Sequence, residues 1–116
     1  MIKRVIPQVI ISNGSAVKTK RFADFVYVGD PVNNISIYSN LGADEISIVD
    51  ISTDGGLNKN PTTKNLMAMT TQAFMPVTYA GSIHSCDQVD WIIGLGVEKI
   101  VLGSLLYTNP DECCKI

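Results

Sequence analysis

The sequence predicts an α/β fold: a single domain of four parallel strands, each followed by a helix, amounting to a (βα)4 half of a (βα)8 barrel. Three observations lead there. Short apolar runs alternate with helix-length segments through short connections, the pattern of parallel strands with right-handed crossovers. The joint "LGADEI" (Leu41 to Ile46) returns as "LGVEKI" (Leu95 to Ile100), 54 residues on, an interval of two strand–helix units. Finally, 116 residues are half or less of the roughly 250 that eight such units occupy. An open, flavodoxin-like sheet is the rival arrangement for four such units.

Each element has a local reason. Val5 to Ile11 is an apolar run and the first strand, and a long loop follows it. Asp30 can cap a first helix, with Pro31 suited to its first turn and Gly42 ending it. Glu45 to Asp50 ("EISIVD") is the second strand. A second helix follows over "NPTTKNLMAMTTQAF", with Leu66, Met69 and Ala73 along one side. Met75 to Gly81 is the third strand, and Ser85 with Gln88 forms a capping box that opens the third helix. Trp91, Ile92, Ile93 and Leu95 read as that helix's packing face. Lys99 to Gly103 is the fourth strand. Asn109 and Pro110 then start a fourth helix, expected to be truncated within 1–116 after barely two turns.

Strand parity divides the sheet into two faces. Arg4-Ile6-Gln8-Ile10, Glu45-Ser47-Val49 and Lys99-Val101-Gly103 form a mixed face that begins with charges, as the inside of a barrel with a polar mouth would. Strand ends that are simply wet are the alternative. The opposite set, including Val5, Val9, Ile11, Ile46, Ile48, Ile100 and Leu102, is branched and apolar, as expected beneath helices. Half a barrel leaves two strand edges and one face without cover. Were Ile6, Ile10, Val49, Tyr79 and Val101 to stay exposed, each would forgo roughly 1.5–3 kcal/mol of burial. Self-association follows as an expectation, most simply a twofold dimer that closes the barrel.

Composition narrows the function classes. Hydrophobic residues make up 46% and charged residues 17%, and the net charge is −2, which argues against nucleic-acid or anionic-membrane partners. Pro7 and Gln8 interrupt the only N-terminal apolar run, so no leader peptide is expected. No stretch reaches the roughly 18 apolar residues of a membrane span. Three cysteines, Cys86 and the adjacent Cys113 and Cys114, suit neither a disulfide framework nor metal-ligand spacing. A reduced, cytoplasmic setting without metal or cofactor is the expectation. His84 reads as an exposed loop residue near a helix start.

The first strand with its loop, together with "VYVGDPVN", "GADEISIVDIS", "FMPVTYAGSI" and "GLGVEKIVLGSLLYTNPDE", resembles the cyclase subunit of imidazole glycerol phosphate synthase. The likeness runs over nearly the whole chain in order and covers the N-terminal half of that family's TIM barrel. "VKTKRFADFVYVGDPVN" is most similar to a branch associated with surface-polysaccharide genes, which works with a glutamine amidotransferase in amidine transfer to a sugar. The resemblance implies lyase and cyclase chemistry on a phosphorylated aminoimidazole ribonucleotide in histidine biosynthesis, with ammonia from a glutamine amidotransferase partner. The family's first-strand catalytic aspartate falls on Ile10, an alkyl side chain that can neither accept nor donate a proton. A half-barrel of this kind is therefore expected to be inactive or weakly active alone.

Other positions carry over by the same resemblance. Lys18 aligns with a loop lysine of the cyclase reaction, and Asp50 with an aspartate near the active face; a surface lysine and a loop-capping carboxylate are the plain alternatives. Gly81 and Ser82, with Gly103 and Ser104, match the turns whose N–H groups hold a substrate phosphate, or are tight turns that need small residues. Ala80 and Ser82 depart from the family's three-glycine run. Arg4, Glu45 and Lys99 match three members of a charged ring at the N-terminal mouth, and Glu98 an acidic residue of the glutaminase interface. A non-catalytic, homo-oligomeric module that binds sugar phosphates is the alternative function.

Overall fold

The computed structural model describes residues 2–20, 23–52, 60–81, 83–103 and 105–115. In chain order the elements are β1 (Gln8–Ser12), β2 (Ser15–Lys20), β3 (Ala23–Gly29), α1 (Pro31–Asn40), β4 (Ile46–Asp50), α2 (Asn60–Gln72), β5 (Val77–Ala80), α3 (Cys86–Gly94), β6 (Lys99–Val101), α4 (Leu105–Thr108) and α5 (Pro110–Lys115). They build one sheet in the order β3-β2-β1-β4-β5-β6. The pairs β1–β4, β4–β5 and β5–β6 are parallel. Those four strands lie in chain order, each joined to the next through a helix, which is the winding of a barrel. A flavodoxin-like sheet would reverse direction after its first crossover. The chain is thus half of a (βα)8 barrel.

Ser15–Lys20 and Ala23–Gly29, expected as part of a loop, are instead two antiparallel strands that extend the sheet beyond β1. The cause is local. Ser12 pairs with Ser15 across Asn13 and Gly14, and both turn residues have positive φ, 50° and 85°. Asn-Gly is the sequence that meets this demand in a two-residue hairpin turn. β3 carries an extra residue opposite the Ala16/Val17 step, which twists this edge strand.

The helices begin and end for identifiable reasons. The Asp30 carboxylate accepts from the Val32 N–H at 3.2 Å, Pro31 occupies the first position of α1, and the Leu41 N–H closes the last turn on the Ile37 carbonyl at 3.0 Å. Gly42 then takes φ +80°, a conformation that costs glycine little. Ser85 Oγ accepts from the Gln88 N–H at 3.3 Å to open α3. Asn109 Oδ1 accepts from the Glu112 N–H at 3.3 Å to open α5, which is separated from β6 by the short α4 that the sequence did not announce.

The core lies between the helices and one face of the sheet. Val9, Ile11, Ile46, Ile48, Val77 and Tyr79 supply the strand side, and Ile35, Leu66, Met69, Val89 and Ile92 the helix side. The other face carries two hydrogen-bonded rows, Gln8-Ser47-Thr78-Lys99 and Ile10-Val49-Ala80-Val101. None of these eight residues is fully buried, and Val101 is 51% exposed.

Three expectations are corrected by this packing. Tyr79 does not face the barrel interior: alternation from Val77 turns it under the helices, where it is 1% exposed. Val5 is not in the core, because β1 begins only at Gln8. In α3 only Ile92 of the presumed packing face is buried, with Val89 one turn before it; Trp91 and Ile93 point elsewhere on the helix and are exposed. Ile92→Ala should therefore cost about 2–5 kcal/mol, whereas Ile93→Ala should stay within about 0.5 kcal/mol, as read from urea denaturation.

Candidate functional site

Parallel strands in register bring their C-terminal ends to one rim. Ile11 is level with Asp50, Val49 with Ala80, and Ala80 with Val101. The turns beyond those ends hold Asn13 and Gly14, Ile51 and Ser52, Gly81, and Gly103. The N-terminal ends make the opposite mouth.

A chain of hydrogen bonds ties three of the rim turns together. Asp50 is buried at the end of β4 on the helix-covered face. Its Oδ1 accepts from the Ser52 N–H at 2.9 Å, and its Oδ2 accepts from the Tyr79 hydroxyl at 3.3 Å. Ser52 Oγ in turn accepts from the Asn13 N–H at 2.8 Å. Both carboxylate oxygens thus have partners, and one of those bonds caps the following loop. Burial, then the Asp50 charge, then the hydrogen bond to it push the Tyr79 phenol far above its ordinary value. The hydroxyl therefore stays protonated and donating.

Gly81 sits against this pair. Its φ is +151°, and a Cβ there would lie 2.8 Å from the Asp50 carbonyl oxygen, 2.9 Å from the Asp50 Cβ and 3.2 Å from the Tyr79 hydroxyl. Only glycine fits. Gly103, after the neighbouring strand, is different: a Cβ there meets nothing within 4 Å. Ser82 and Ser104 lie outside the described residues. At the start of α3 two N–H groups already have acceptors within the protein. Cys86 donates to Glu112 Oε1 at 2.8 Å and Gln88 to Ser85. The Cys86 N–H holds the Glu112 carboxyl below the usual carboxylate range. His84 is exposed beside this turn.

Lys18 is exposed on β2, on the same face as Ala16 by alternation. It lines a cleft of about 330 Å³ together with Asn34 and Tyr38 of α1. That cleft does not include Asp50, so the structure does not bring Lys18 and Asp50 together. At the N-terminal mouth, Glu45 Oε1 accepts from both Arg4 Nη1 and Lys99 Nζ, each at 3.1 Å. Glu45 is buried between these two exposed cations. Glu98 is exposed one residue before β6, and its N–H donates to the Val77 carbonyl at 2.9 Å. Among the described residues no group of three His, Cys, Asp or Glu side chains converges as a metal site would require, and no helix is long and apolar enough to cross a membrane.

Comparison with known proteins bears on this geometry. The family model described as "Histidine biosynthesis protein" matches residues 4–116. The chain belongs to the histidine biosynthesis protein family. Within it, the chain is 36% identical over 107 residues to a protein of Leptospira interrogans named "Putative imidazole glycerol phosphate synthase subunit HisF", a match covering 92% of this chain and 42% of that one. A Vibrio vulnificus relative named "Putative imidazole glycerol phosphate synthase subunit hisF3" is likewise 36% identical, over 92% of this chain and 41% of its own length. The Streptomyces coelicolor imidazole glycerol phosphate synthase subunit HisF is 32% identical over 93% of this chain and 43% of its own length. The chain therefore has a cyclase-family relationship and spans somewhat less than half the length of these relatives.

The sequence reading found Asp50 but missed its partner. The signal was available, since counting from Val77 puts Tyr79 on the face of Ile48 and Asp50. The ionisation of Tyr79 is directly measurable. Its raised value in the fold means that its contribution to stability is complete below the unfolded phenol's value near 10 and is lost as pH rises above it. Ultraviolet titration should find one phenol still un-ionised at pH 11 for as long as the fold persists, with Asp50→Asn shifting it back down.

Proposed function

We propose that this chain is a phosphate-holding (βα)4 unit of imidazole glycerol phosphate synthase cyclase type. The observation that carries the reading is the pair of glycine turns, Gly81 and Gly103, on one rim after adjacent parallel strands. Backbone N–H groups in such turns approach an anion without a side chain in the way. Ser82 and Ser104 would add hydroxyl donors beside them. Because the Cys86 and Gln88 amides have internal acceptors, the anion in this reading is held by the turns rather than by the helix end.

The substrate is a phosphorylated aminoimidazole ribonucleotide or, in the sugar-modifying branch, a sugar that receives an amidine nitrogen. By the family relationship Lys18 matches a loop lysine of the cyclase reaction and Asp50 an aspartate near the active face, here bonded to Ser52 and Tyr79. Ile10, in the apolar row of the inner face, supplies no acid, which favours weak or absent turnover and gives a second reading, a non-catalytic module that binds sugar phosphates. Arg4, Glu45 and Lys99 form part of the N-terminal gate for ammonia in this account. Glu98 contributes to the surface that meets a glutamine amidotransferase. The setting is cytoplasmic, in keeping with the free thiols of Cys86 and Cys113. The inner face and the β6 edge are covered by a second (βα)4 unit, most simply another copy of this chain.

Sedimentation equilibrium at micromolar concentration should give at least twice the 12.6 kDa of one chain, and a monomer would rule out self-closure. Titration with inorganic phosphate should show saturable binding that is weakened by Gly103→Asp, and phosphate indifferent to that change would remove the site.

A further inference from the structure

Resting on that phosphate reading, we propose that Tyr79 and Asp50 form a buried clamp that positions the turn after β5 for its anion, so that Asp50 serves as a positioning residue rather than as an acid. The geometry converges on this from independent directions. Asp50 is 6% exposed and lies under the helices, away from the inner face where a barrel substrate would sit. Each of its carboxylate oxygens is already engaged, one by the Ser52 N–H and one by the Tyr79 hydroxyl. A proton-transfer role needs an oxygen that faces the substrate, and a carboxylate buried on the helix-covered face presents none.

The clamp has a mechanical output. Tyr79 lies in β5 two residues before Gly81, and the Asp50 backbone carbonyl abuts the position where a Gly81 side chain would begin, at 2.8 Å. The Tyr79 hydroxyl reaches over to the same point, at 3.2 Å. The turn is therefore fixed against β4 by packing on one side and by the hydroxyl–carboxylate bond beneath it. Through Ser52 Oγ the same network reaches the Asn13 N–H in the hairpin turn, where φ is also positive. Three consecutive rim turns are held as a set. A Cβ at Gly103 would meet nothing within 4 Å, so the two glycine turns differ in how closely they pack against their surroundings. Pre-organisation raises affinity by reducing the ordering that binding must impose.

The test uses the full chain with inorganic phosphate as the probe. Calorimetric titration, thermal melting and amide hydrogen exchange are run on wild type and Tyr79→Phe. The expected result is a cooperative melt, phosphate affinity reduced about three- to tenfold by the loss of one hydrogen bond, and faster exchange at the Asn13, Ser52 and Gly81 amides with β6 unchanged. Equal phosphate affinity in wild type and variant overturns the clamp. Should wild type bind no phosphate, the phosphate reading falls on its own, and exchange decides: acceleration confined to the three turns upholds positioning, while uniform or absent change overturns it. If Tyr79→Phe does not melt cooperatively, Asp50→Asn, which keeps the side chain's shape, carries the same measurements and the same outcomes.

Discussion

The two faces of the sheet are chemically unequal, and most of the structure follows from that inequality. Every second residue of β1, β4 and β5 enters an apolar layer with α1, α2 and α3; the intervening residues form two rows in which none is fully buried. Burial of the first set drives folding at roughly 25 cal/mol per Å² of apolar surface removed from water. The second set gains little of this within the chain itself. A register slip of one residue would exchange the sets and place Ser47 and Thr78 in the core. The parallel pairing is therefore specified by the helix side alone, and the inner side is left for whatever covers it.

The same inequality explains how polar groups come to be buried at the rim. Asp50 follows Ile46 and Ile48 in alternation, so the strand carries its carboxylate into the helix layer at the point where the strand ends. An unpaired carboxylate there would cost several kcal/mol. The protein answers with a backbone donor from its own loop and a phenol from the next strand. Gly81 is part of that answer, since any larger residue would push β5 away from Asp50. At the other mouth Glu45 is buried in a comparable way but lies at a wet edge, and two cations reach it from neighbouring segments. Pairs of that kind contribute modestly and weaken in salt.

Much of this was legible beforehand and some was not, for reasons that can be named. Strand and helix identities followed from periodicity and caps, and Asp30, Ser85 and Asn109 all cap as their residue types suggest. The barrel sense followed from the repeated helix-to-strand joint. β2 and β3 were missed although Asn13-Gly14 is a strong turn signal, because Lys18 and Lys20 break the apolar alternation that marks a strand. Tyr79 was misassigned because parity was counted from charged strand openings, and Met75 and Pro76, which lead into β5, carry no charge to count from. Trp91 and Ile93 looked like core on hydrophobicity alone. Which stripe of a helix is buried depends on the sheet it meets, and that is a tertiary fact. The pairing of Asp50 with Tyr79 needs register between strands that lie 29 residues apart at those positions, which no local pattern contains.

The claim that one face folds the chain and the other awaits cover is tested most directly by two neighbouring residues of β4. Thermal melting of Ile48→Lys and Val49→Lys, compared with wild type, places the same charge on opposite faces one residue apart. The account predicts that Ile48→Lys abolishes the cooperative transition, while Val49→Lys melts cooperatively as a monomer. Equal collapse of both variants would contradict it.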